Sequence, residues 1–137
     1  MAYWLVKSEP ETWSWHDQTT QKVTHWDGVR NYQAANNLKA MNVNDLCFFY
    51  HSCSERQIVG IVKVIKTAHP DPSDPTGRFV MVDVEWHKNL KNPVPLSIVK
   101  THPALSHLAL VKQSRLSVMP IDQASWELIN ELSENPL

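Results

Sequence analysis

The sequence predicts a single α+β domain built on a curved, mainly antiparallel sheet, and three observations point there. About five short β-branched or aromatic runs alternate with helical segments but lack the regular helical crossovers of a doubly wound parallel fold. Only three glycines are present, and no glycine-rich phosphate loop follows the first strand. The chain has 137 residues, 42% of them hydrophobic, with six tryptophans, which suits one domain (residues 1–137) with a substantial core.

Residues 3–7 read as the first strand. Ser8-Glu9-Pro10-Glu11 then forms a capping box with proline in the first turn of a short helix through Trp13 and Trp15. Polar residues 18–24 read as a loop that delivers Trp26. After the Asp27-Gly28 turn signal, Asn31 caps a helix running to about Met41. Residues 46–51 are strand-like, residues 58–65 form a β-branched run, and Val80, Val82, Val84 and Trp86 alternate with polar positions. The three-proline stretch 69–77 reads as a stiff surface loop, because proline removes donors and restricts its neighbours. Beyond Pro93 and Pro95, residues 96–111 carry helical turns punctuated by Pro103, and residues 115–118 give a last strand ended by Pro120. Asp122 caps a terminal helix that buries Trp126, Ile129 and Leu132 on one face.

Thirteen basic against fourteen acidic residues give a net charge of -1, so the molecule lacks the positive field of a non-specific polyanion binder and any nucleic-acid contact must be local. The apolar run 2–6 is too short for a signal-peptide core or a membrane span. The expectation is a soluble protein without membrane partners, cytoplasmic, or nuclear in a eukaryote. Cys47 and Cys53 fall in one extended segment that would hold them ~20 Å apart if straight, beyond disulfide reach. The seven histidines show no recognised metal-ligand spacing, and no P-loop, nucleophile elbow or dinucleotide fingerprint is present, so neither metal nor cofactor is expected.

The run Trp26-Asp27-Gly28-Val29-Arg30-Asn31-Tyr32-Gln33-Ala34 is the most informative. It sets a flat aromatic and several planar hydrogen-bonding groups around one turn, an inventory suited to a planar ligand such as a nucleobase. Trp26 can stack on a base or pack in the core. Asn31 can contact a base or serve only as a cap, and Arg30 suits a phosphate, a base edge or a surface ion pair. Tyr50-His51-Ser52-Cys53 sets an imidazole beside potential nucleophiles, but neighbours along a strand point to opposite faces and no orienting third group is evident.

Four blocks, Tyr3 through Pro10, Trp26 through Ala34, Phe49 through Ser52 and Arg115 through Val118, occur in the order of the EVE domain family, which the chain resembles over nearly its whole length. The resemblance implies a PUA-like pseudo-barrel of five to six strands, related to YTH and ASCH domains, and a non-catalytic reader of a modified base, with modified cytosine in DNA foremost. On this reading Ser8, Trp26, Gly28, Asn31, Tyr50, Ser52 and Phe79 line an aromatic base pocket, while Lys7, Arg30 and Arg115 hold phosphates. The partner is then modified DNA or RNA; the sequence gives no oligomeric state. The rivals are an RNA-binding module of RNA modification or translation, and a nuclease or base-modifying enzyme using His51 or an acidic residue. Two positions depart from the family pattern: Ala35 stands where arginine is common and Met119 where glutamine is common, and each removes a polar group.

Overall fold

The computed structural model describes residues 1–136. Six strands, β1 (Tyr3–Ser8), β2 (Val23–Trp26), β3 (Leu46–His51), β4 (Gln57–Pro70), β5 (Val80–Pro95) and β6 (Val118–Ile121), form one open sheet in the order β2-β5-β4-β3-β1-β6. All neighbours are antiparallel except β1 and β3, which run parallel with Tyr3 opposite Leu46 and Ser8 opposite His51. The connection between these two holds α1 (Trp15–Gln21), β2 and α2 (Tyr32–Ala40). Helices α3 (Leu96–Thr101), α4 (Ala109–Lys112) and α5 (Gln123–Glu134) follow β5 and β6. The α+β class, the mainly antiparallel sheet and the strand count of five to six therefore stand; the sheet does not close.

The centre of the sheet is covered on both faces, which is why Trp4, Leu5 and Val6 of β1 and residues 47–51 of β3 are all buried instead of alternating. Trp126 of α5 stacks between Tyr3 (4.4 Å) and Phe48 (3.9 Å), the packing its helical face predicts. Asn31 and Asp122 cap their helices through their side chains, as expected. Both cysteines are free, Cys47 buried and Cys53 exposed.

Several boundaries differ from the sequence reading, each for an identifiable reason. The first helix is not capped by Ser8: residues 9–13 form turns, and the capping box is Ser14 with Asp17, which satisfies the same serine-to-acid spacing six residues later. The predicted loop 18–24 is the end of α1 followed by the first half of β2. Both β4 and β5 run longer than predicted, with shifts of register along their ladder. Pro93 and Pro95 lie inside β5 because β2 covers only Val82 to Glu85, leaving the rest of that side as a free edge. Pro120 likewise sits inside β6, an edge strand, so the last strand is displaced and Arg115 precedes it.

Gly60 of β4 lies against the Trp15 indole, and a Cβ there would overlap the ring. Trp15 is held by an Nε1 hydrogen bond to Asn89 (2.9 Å) and by tilted contact with Phe49 (4.9 Å), so it cannot yield cheaply. Gly60→Ala is therefore expected to destabilise the domain by about 1–3 kcal/mol, the usual cost of overpacking, read by urea denaturation.

Candidate nucleic-acid interface

The end of β1 and the end of β2 face each other across a cleft of about 570 Å³. Its lining includes Lys7, Ser8, Trp13, His25, Trp26, Gly28 and Arg30, so five of the predicted contact residues come together in one place. That volume is in the range of small-molecule sites.

Each wall has a local cause. After Ser8 the chain turns back through hydrogen bonds from the amides of Thr12 (3.0 Å) and Trp13 (2.9 Å) to the Glu9 carbonyl, and the Ser8 hydroxyl donates to the Trp13 carbonyl (2.5 Å). That turn brings the half-buried Trp13 to the cleft, where its Nε1 donates to Gln18 (2.9 Å). Trp26 ends β2 at 8% exposure, its ring edge-on to Phe49 at 5.5 Å, so it packs in the core and also walls the cleft. Gly28 has φ of 76°, a left-handed conformation that other residues adopt at a cost.

Asp71, at the start of the proline-rich loop, locks this arrangement. Its buried carboxylate accepts from the Gly28 amide (2.8 Å), from Arg30 Nη1 (3.1 Å) and from both the amide (2.8 Å) and hydroxyl (2.6 Å) of Ser73. Burial pushes the Asp71 carboxyl up, but the Ser73, Gly28 and Arg30 hydrogen bonds outweigh it and hold the group at about 2. Arg30 Nη2 donates to the Ser73 hydroxyl (2.9 Å), and the guanidinium lies 5.3 Å from the Phe79 ring. The loop is itself organised by Asp74, which accepts from the amides of Thr76, Arg78 and Phe79.

The basic groups at the cleft are thus oriented by protein partners. Lys7 Nζ donates to the Ser114 carbonyl (3.0 Å), sits 5.7 Å from the Tyr50 ring, and has its pKa lowered by burial. Because Ser8 spends its proton on Trp13, its hydroxyl oxygen meets a ligand as an acceptor.

The other predicted contacts lie outside this lining. Tyr50 is buried beside Lys7; Ser52 donates from Oγ to the Ser8 carbonyl (3.2 Å) just past β3; Phe79 packs on Tyr32 at 5.2 Å. Asn31 accepts from the Ala34 amide (2.9 Å) and, with Lys112 and Arg115, lines a second groove of about 300 Å³. Ala35 and Met119 are buried in the core. Sequence reasoning missed Trp13, read only as part of the first short helix, and Asp71, whose partners Gly28 and Arg30 lie more than 40 residues away; the three-proline loop was the only signal for the latter.

His51 is committed to structure. Its Nε2 accepts from the Trp15 amide (2.8 Å), which occupies the lone pair a general base would need. Its buried Nδ1 stands 3.2 Å from a Glu55 carboxylate oxygen, outside hydrogen-bond alignment. Among the described residues no helix is long and apolar enough to cross a membrane.

Comparison with known proteins adds three kinds of finding. The EVE domain family profile matches residues 2–132. Thymocyte nuclear protein 1 of Gallus gallus is 37% identical over 167 residues, covering 97% of this chain and 69% of that protein. Among solved structures, a Rhodopseudomonas palustris protein matches with TM-score 0.93 and 45% identity over 100% of this chain and 96% of its own. The human THYN1 protein, solved in complex with 5-methylcytosine-containing DNA, matches with TM-score 0.94 and 34% identity over 100% of both chains. The Mmi1 YTH domain, at 12% identity and TM-score 0.63, shares the fold alone.

Proposed function

Because this chain belongs to the EVE domain family, we propose that it is a non-catalytic reader of a modified base in nucleic acid, with modified cytosine in DNA as its preferred ligand. The observation that carries this reading is the cleft between β1 and β2, where the indoles of Trp26 and Trp13 share one lining with Ser8, Lys7, Gly28 and Arg30. The human relative bound to 5-methylcytosine-containing DNA supports the ligand class.

In this proposal one base leaves its stack and enters the cleft, where Trp26 forms an aromatic wall and Trp13 a second. Stacking on such rings contributes ~1–3 kcal/mol per base and favours an added methyl over a charge. The Ser8 oxygen accepts from the exocyclic amine of the base. Lys7 and Arg30 offer their remaining N–H groups to flanking phosphates, and Arg115, in the groove it shares with Asn31, extends the phosphate track along the strand.

The test is a fluorescence-anisotropy titration of matched DNA and RNA oligonucleotides carrying cytosine, modified cytosines or modified adenine. Preference for modified cytosine in DNA is the expected result, and log Kd should change with log salt by the equivalent of roughly two to four phosphates, because few basic groups reach the cleft. Tighter binding of matched RNA would replace this reading with an RNA-binding one, and a steeper slope would contradict the small phosphate footprint.

A further inference from the structure

Three adjacent strands bring together residues that no linear spacing connects. Asp83 of β5 is flanked by His25, its ladder partner on β2, and by His69 near the end of β4. Their ligating atoms all lie within 4.8 Å of one another. His25 Nδ1 is 2.7 Å and His69 Nε2 3.2 Å from the same oxygen of Asp83. The seven histidines suggested no metal site when read along the chain; the fold supplies a cluster that sequence spacing hides.

The tautomer of His69 gives the cluster its meaning. His69 Nδ1 lies 2.8 Å from the Thr67 carbonyl, which can only accept, so that nitrogen carries the ring proton. In the neutral ring Nε2 then carries a lone pair, and the anionic Asp83 oxygen stands 3.2 Å away, outside hydrogen-bond alignment. Two electron-rich atoms this close, with no hydrogen bond joining them, are drawn together by a shared cation. The Thr67 hydrogen bond is also the outer-shell contact that fixes a metal-ligating imidazole in its tautomer and orientation.

We infer that His25, His69 and Asp83 form a binding site for a divalent first-row transition metal. Two imidazoles and one carboxylate are the donor set of zinc and its neighbours, not of calcium or magnesium. Bonds of ~2.0–2.2 Å require the three ligand atoms to open slightly around the ion. His25 can make that adjustment, since its side chain is 64% exposed, while His69 at 18% and Asp83 at 13% form the rigid half of the site. The remaining coordination position is open to water. His25 also lines the base cleft, so the ion would sit at its rim.

Zinc chloride is the probe, titrated calorimetrically into the full, untagged chain and into its Cys53→Ser variant, which removes the exposed thiol as a competing ligand. Both should take up one equivalent, while His69→Gln and Asp83→Asn should each weaken uptake by more than ~10-fold with circular dichroism unchanged. In the wild-type protein the ring-nitrogen NMR signals of His25 and His69 should move together on zinc addition, a readout that needs no variant to fold. Absence of saturable uptake at pH 8, or uptake that survives both substitutions, would overturn the assignment. So would His69 ring signals of a doubly protonated imidazole that ignore zinc, since a proton then fills the gap. None of these readouts involves oligonucleotide, so the outcome is independent of the base-reading proposal.

Discussion

Trp26→Ala should lower affinity for the modified-base oligonucleotide by roughly 5- to 150-fold, the equivalent of the ~1–3 kcal/mol that stacking supplies. The same change empties space beside Phe49 at the end of β2, so it should also destabilise the domain by about 3 kcal/mol or more. Trp26→Phe separates the two effects. It keeps an aromatic ring against Phe49 and a smaller face toward the cleft, so it should remain folded with an intermediate affinity. If Trp26→Phe is folded and binds like wild type, and a folded fraction of Trp26→Ala does the same, the indole contributes packing alone.

Asp71→Asn is the second large effect, and it acts on the frame of the site. The carboxylate joins the proline-rich loop to Gly28 and Arg30 with no side-chain exposure of its own. Charge-assisted hydrogen bonds contribute more than neutral ones, and the Asn side chain cannot accept at both oxygens. The expected loss is about 2–3 kcal/mol, or roughly 6–12 °C in Tm by scanning calorimetry, together with weaker oligonucleotide binding as Arg30 and Gly28 lose their anchor. The pH dependence has a definite sign. Asp71 is held at about 2 in the folded protein, below its ordinary value, so its contribution is complete above the unfolded value near 4 and is lost as pH falls toward 2. The gap between wild type and Asp71→Asn should accordingly be widest near neutral pH and narrow below pH 4. A gap that stays constant down to pH 2.5 would show that the charge is not what matters.

The legible and illegible parts of this molecule divide along the range of the interactions involved. Asn31 and Asp122 cap helices through contacts three residues long, and the bounds of β3 follow from an unbroken apolar run flanked by polar residues. The family resemblance rested on short blocks, and three of those blocks, at Ser8, at Trp26 and at Ser117, line one cleft. What sequence did not reveal depends on partners far along the chain. Ser8 and Ser14 offer equivalent capping patterns, and only the turn that brings Trp13 to the cleft decides between them. Prolines 93, 95 and 120 are tolerated because the sheet leaves those edges unpaired, a fact of topology. Asp71 finds Gly28 and Arg30, and Asp83 finds His25 and His69, only once the strands and loop are assembled.

The central claim is that one base is held against Trp26, and the indole N–H region of a proton–nitrogen correlation spectrum tests it directly, with Trp26→Phe identifying the signal. On titration with an oligonucleotide containing 5-methylcytosine, the Trp26 and Trp13 signals should shift together, while that of Trp4, buried and bonded to Asp45 at 3.0 Å, stays in place. A complex that forms while the Trp26 signal remains unmoved would contradict the account.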